Sequence, residues 1–206
     1  MQNSNIEEKS SESRIKTKTS EMKFSTSWVF RIAGIIFLVA NLITVVEMIN
    51  VNFTSFVYIM QNNNVFWSIF FIFTALLYTT SFLNAIMATG TAAIFAGKNN
   101  YTQSVWNSQI TAVITLALYT TLQIITGYDA SNPEEAETLF ILVTTLVIEI
   151  FFAVITFFCL RELPDFKWKN ILPKDPNSKL CLKVYLIMLA LVETGCFIYA
   201  NIIINR

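Results

Sequence analysis

The sequence predicts an all-α, polytopic membrane bundle of five transmembrane helices, and three observations carry that prediction. Hydrophobic residues make up 54% of the 206-residue chain and charged residues 14%, against about 25% charged in a typical soluble domain. Apolar runs of about twenty residues recur along the chain, the length a helix needs to cross a hydrocarbon core of roughly 30 Å. Lysine and arginine also alternate between successive connections, as the positive-inside rule requires of a multi-span protein.

Residues 1–27 mix acids, bases and hydroxyls with few large apolar side chains. Such a segment buries too little surface to offset its ordering entropy, so it is expected to be a disordered cytosolic tail. Glu7, Glu8, Glu12 and Glu21 argue against a transit peptide, which is poor in acids. The remainder, 28–206, is expected to be one transmembrane domain.

The first span is expected at about 28–49, too long for a signal-peptide core. The second, at about 65–96, is long for a membrane and tilts, projects into water or breaks near Gly90; a single long helix is preferred. The third is expected at about 104–126. The fourth, at about 139–160, is preceded by Asn132-Pro133-Glu134-Glu135, which reads as an N-cap, a first-turn proline and a capping-box acid. The fifth is expected at about 180–204. Gly97 and Gly127 follow spans two and three, where C-terminal glycines belong.

Lys9, Arg14, Lys16, Lys18 and Lys23 precede span one, Lys98 follows span two, and Arg161, Lys167, Lys169, Lys174 and Lys179 follow span four. The connections after spans one and three carry none. This places the N-terminus in the cytosol and the C-terminus outside or in a lumen. Trp28, Trp106 and Trp168 then fall at the inner interface, with Trp67 and Tyr128 at the outer one. Residues 164–172 read as a short interfacial segment, with Phe166 and Trp168 among the headgroups. The sequon at Asn52 falls in the outer loop and makes it a candidate glycosylation site.

The chemistry such a chain can carry is narrow. Histidine is absent, which excludes His-ligated zinc, bis-His haem and any His-based triad. Cys159, Cys181 and Cys196 have neither disulfide nor metal spacing; Cys159 and Cys181 lie at the inner interface as candidate lipidation sites. No nucleophile–base pair, metal cluster or phosphate loop is evident. The expectation is a non-enzymatic protein without cofactor, metal or nucleic-acid partner, embedded in the lipid bilayer, with other membrane subunits and an ion or small-molecule substrate left open.

Two glutamates stand out. Glu149 and Glu193 each sit near the middle of an apolar run, where an ionisable group is costly and marks a functional-site candidate. With no basic residue at that depth, an ionised carboxylate is disfavoured, and at least one of the two is expected to be the neutral acid. On span three, Asn107, Thr111, Thr115, Tyr119 and Gln123 recur every four residues and read as a polar stripe. The candidate proton or cation site combines Glu149, Glu193, Thr145, Thr115 and Tyr119. Asn84, Thr111, Gln123 and Asn41 are candidate interhelical contacts.

Two functions follow. The first is a non-catalytic scaffold, assembly partner or accessory subunit, in which the acids act as packing glue. The second is a small proton- or cation-coupled transporter or channel. The small residues Ala88, Ala92 and Ala96 on span two point to close helix packing in either case.

Overall fold

The structure, a computed structural model, describes residues 28–205 except 30, 40, 42–44, 47, 62–63, 96–98, 127–132, 162 and 164–165, and leaves aside the side chains of 94–95, 99 and 134–135. The expected tail, Gly97, Lys98, Gly127, Tyr128 and the capping-box acids Glu134 and Glu135 lie outside the described set.

Among the described residues all regular structure is helical. Helical stretches at 28–29, 31–39, 41, 45–46 and 48–61 are together called α1. They are followed by α2 (Val65–Phe95), a 3-10 turn at Asn99–Tyr101, α3 (Thr102–Ile125), α4 (Pro133–Leu160) and α5 (Pro176–Ile204). Helices α2 to α5 are each long and apolar enough to cross a membrane.

The largest difference from expectation is α1, which reaches residue 61 instead of ending near 49. The polar residues that suggested a loop are absorbed by the helix. Asn52 Nδ2 donates to Met48 O at 3.1 Å, Thr54 Oγ1 to Asn50 O at 2.9 Å and Ser55 Oγ to Val51 O at 2.8 Å. Each bond returns to the carbonyl four residues back, so the side chains satisfy themselves without ending the helix.

Helix α2 begins where Asn64 Oδ1 accepts from the backbone N–H of Phe66 at 3.0 Å, an N-cap that satisfies an otherwise orphaned donor. It runs 31 residues without a break at Gly90, about 46 Å of helix against a core of roughly 30 Å. The extended α1 explains how so long a helix is accommodated: the two form an antiparallel pair, joined by contacts at Gly34–Ala93, Asn52–Thr79 and Tyr58–Phe71. A Cβ at Gly34 would stand 3.0 Å from Ala93 N and from Thr89 O. Glycine is required there because the neighbour is backbone, and the alanine-rich face of α2 (Ala85, Ala88 and Ala92, all buried) is what permits the approach.

Helix α1 crosses the bundle diagonally. Phe37 packs on Phe152 of α4 at 4.1 Å, whereas Phe53 and Phe56 meet Tyr199 and Phe197 of α5 at 5.2 and 5.7 Å. The core lies between α1, α2, α3 and α4, where Met48, Tyr78, Phe82, Leu116, Tyr119 and Leu142 cluster. The apolar windows of α4 and α5 are only 17% and 11% buried, so most of their surface faces outward.

The segment after α4 does not simply rest on a membrane surface. It folds back on α3: Gln103 Nε2 donates to Asn170 O at 2.7 Å and to Lys167 O at 3.2 Å, and Gln103 Oε1 accepts from Lys167 N at 3.2 Å. Trp106 Nε1 donates to Trp168 O at 2.9 Å. Trp106 is therefore buried against this segment, and Phe166 stands edge-on to it at 5.5 Å. Trp168 is exposed, with Lys169 Nζ over its ring.

Candidate functional site

The two glutamates occupy separate places. Helices α4 and α5 flank the connection that carries Trp168, α4 entering it and α5 leaving it. At 1.5 Å per residue, Glu149 stands about 16 Å above that end and Glu193 about 26 Å. Their neighbours differ accordingly, so the expected single site built from both is replaced by two.

Glu149 is 3% exposed and accepts a 2.7 Å hydrogen bond from Gln109 Nε2 of α3. Ser81, Phe82 and Ala85 of α2, Ala112 and Leu116 of α3, and Thr145 line a cavity of about 10 Å³ beside it, at the lower limit of the space one water needs. Gln109 and Ala112 belong to the most buried face of α3. The arrangement is a dry polar lock between α3 and α4.

The expected partners of Glu149 do not take that role. Thr145 donates to Ile141 O at 2.8 Å, and Thr115 to Thr111 O at 2.7 Å, each on its own helix. Tyr119 is buried and stacks on Tyr78 at 4.6 Å. The stripe itself does not form one face. Steps of four residues overshoot a 3.6-residue turn by about 40°, so the path from Asn107 to Gln123 winds about 160° around α3. Asn107 ends up buried and Gln123 half-buried. The residue that reaches Glu149, Gln109, lies off that path. Its sequence signal is the i, i+3, i+7 spacing of Gln109, Ala112 and Leu116, a face a small and an apolar residue mark as packed.

Glu193 sits on the opposite seam. Thr79 of α2 stands beside its carboxyl, and Thr79 Oγ1 accepts from Asn52 Nδ2 of α1 at 2.5 Å. Glu193 Oε1 is buried without a hydrogen-bond partner, and so is Asn52 Oδ1. Asn52 is 0% exposed. This corrects the glycosylation expectation: the amide is enclosed within the helix pair and is not presented on a loop.

Below Glu193, Tyr185 OH donates to Thr80 Oγ1 at 2.9 Å, and Asn84 lies beside Tyr185 at the same cleft. Asn84 Nδ2 donates to Thr80 O at 2.9 Å, along its own helix. These residues cap a cleft of about 90 Å³ between α2, α3 and α5, lined also by Ser104, Asn107, Thr111, Ser178 and Cys181. Thr111 donates to Asn107 O at 2.8 Å, and Ser104 and Ser178 bridge α3 to α5 at 2.9 Å. Asn41 is buried and donates to Phe37 O at 3.0 Å. Cys159 lines a separate small cavity with Gly34 and Gln109; Cys181 faces the cleft. Both thiols are half-buried.

Among the described residues, no three His, Cys, Asp or Glu side chains cluster to hold a metal. No protein-family model matches the chain, and no curated protein or solved structure gives a match to it.

Proposed function

We propose that the chain is a non-catalytic multi-pass membrane protein, a scaffold, assembly partner or accessory subunit, with five spans, its N-terminus in the cytosol and its C-terminus on the opposite side. The topology rests on the charge alternation of the sequence, and α1 as the fifth span rests on its antiparallel pairing with α2. The observation that carries the functional reading is the Glu149–Gln109 bond. A carboxyl that is costly in hydrocarbon is used to fasten α4 to α3 in a space too small for a hydrated ion.

The test compares two substitutions at Glu149. Glu149→Gln keeps a hydrogen-bonding side chain of the same shape, and the folded, assembled protein is expected to survive it. Glu149→Leu is expected to weaken it. A Glu149→Gln protein that folds normally but has lost a measurable ion flux would overturn the reading.

A second reading, a small proton- or cation-coupled carrier, is supported at Glu193 alone, where a buried carboxyl oxygen has no partner and a polar cleft approaches from one end. Reconstitution into liposomes tests it. A proton or alkali-cation flux abolished by Glu193→Gln supports it, and no flux above that of empty liposomes rejects it.

A further inference from the structure

The cluster around Glu193 contains more acceptors than donors. Asn52 gives its amide hydrogens to Met48 O and Thr79 Oγ1. Rotating the amide would set its oxygen against the Met48 carbonyl, so the orientation is fixed and Oδ1 is left as an acceptor. Thr79 takes a hydrogen from Asn52, and its hydroxyl stands beside the Glu193 carboxyl. It makes none of the bonds to its own helix that Thr74 and Thr89 make. Both amide hydrogens of Asn52 are thereby committed, and two buried oxygens, Asn52 Oδ1 and Glu193 Oε1, have no hydrogen-bond partner. Buried acceptors left without a donor are unfavourable, because they have given up water and gained nothing in return. One added positive species relieves the imbalance, and a proton is the one that needs no room.

We propose that Glu193, Thr79 and Asn52 form an intramembrane proton-binding site, reached from the Trp168 end of the bundle through the cleft between α2, α3 and α5. Protonation forms one O–H bond at Glu193 Oε1 and breaks one O–H bond of a hydronium ion at that end, which leaves as water; the carboxylate's negative charge and the hydronium's positive charge cancel. The described groups set against the carboxyl are Thr79 from α2, and Tyr185 and Cys196 on its own helix; through Thr79 it connects to Asn52 of α1. None of these supplies a positive charge that would hold a carboxylate. The cleft gives the route: Ser104, Asn107, Thr111 and Ser178 line it, and its upper end is closed by Tyr185 and Asn84, with the Tyr185–Thr80 bond one residue along α2 from Thr79. The site rests on the carrier reading for its interest but not for its existence, since a proton can be held without being transported.

Infrared difference spectroscopy on the full-length protein in lipid nanodiscs tests the proposal separately from any flux assay. The expected result is a protonated-carboxyl C=O band that disappears in Glu193→Gln and shifts on transfer from H2O to D2O. In Thr79→Val, an isosteric change that removes the hydroxyl beside the carboxyl, the same band is expected to move to higher frequency. Asn84→Leu, which fills the upper cleft, is expected to slow the D2O shift. A spectrum in which Glu193→Gln removes only an ionised-carboxylate band, or in which Thr79→Val leaves the carboxyl band in place, overturns the site. An unaltered exchange rate in Asn84→Leu overturns the route.

Discussion

Replacing Gln109 with leucine isolates the Glu149 lock. The substitution removes the 2.7 Å bond while leaving the carboxyl buried at 3% exposure. Stranding a buried polar group costs about 1–3 kcal/mol in protein interiors, whereas hydrogen bonds between membrane helices average about 0.6 and reach about 1.7 kcal/mol in double-mutant cycles. The dry, close-packed setting favours the upper part of the membrane range. Gln109→Leu alone is therefore expected to lose about 1–2 kcal/mol, a factor of about 5–30 in the folded-to-unfolded ratio. When Glu149→Leu is already present, no carboxyl is left to strand, and Gln109→Leu should cost about 1 kcal/mol less than it does alone. Reversible unfolding in mixed micelles of the wild type, both single variants and the double variant gives the coupling directly. Gln123→Leu, half-buried near the far end of α3, is the control and should change stability by less than about 0.5 kcal/mol. Additivity of the two substitutions to within about 0.3 kcal/mol would refute the lock.

Three further outcomes are expected. Gly34→Ala should destabilise by about 1–3 kcal/mol through overpacking against α2 backbone, whereas Gly90→Ala, whose Cβ meets nothing within 4 Å, should be neutral or stabilising by up to about 1 kcal/mol; thermal unfolding of the pair checks this, and equal effects would contradict the register of α1 on α2. Trp106→Phe keeps the ring but loses the bond to Trp168 O, so amide exchange in residues 166–172 should accelerate by about fivefold to tenfold, matching about 1 kcal/mol, with unaltered exchange as the contrary result. Asn52 should carry no glycan when the chain is made in a glycosylating host, and a mass or mobility change on glycosidase treatment that vanishes in Asn52→Gln would contradict its burial.

Much of the helical layout was legible because apolar length and helix punctuation are local. Pro133 opens α4, and α2, α3 and α5 begin and end within four residues of expectation. The extent of α1 was not legible, because Asn50, Asn52, Thr54 and Ser55 look alike whether they end a helix or bond back into it. The importance of Glu149 and Glu193 could be read from their depth, but their partners could not. A four-residue count selected Thr115 and Thr145, whose hydroxyls are taken by their own helices. Gln109 and Thr79 emerge only when helix rotation and the diagonal course of α1 are known. That the two acids belong to different seams follows from the antiparallel run of α4 and α5, which separates them by about 10 Å in depth.

The central claim is that α1 joins the four clearly apolar helices in crossing the bilayer, so that the two ends of the chain lie on opposite sides. Impermeant labelling of single reporter cysteines near residue 10 and after Arg206, in a background with Cys159, Cys181 and Cys196 replaced by serine or alanine, reads this parity in intact cells and after permeabilisation. The account predicts that opening the plasma membrane alone exposes the N-terminal reporter, while the C-terminal one is labelled from the opposite side, either in intact cells or once internal membranes are also opened. Both reporters labelled from the same side would leave an even number of spans and contradict it.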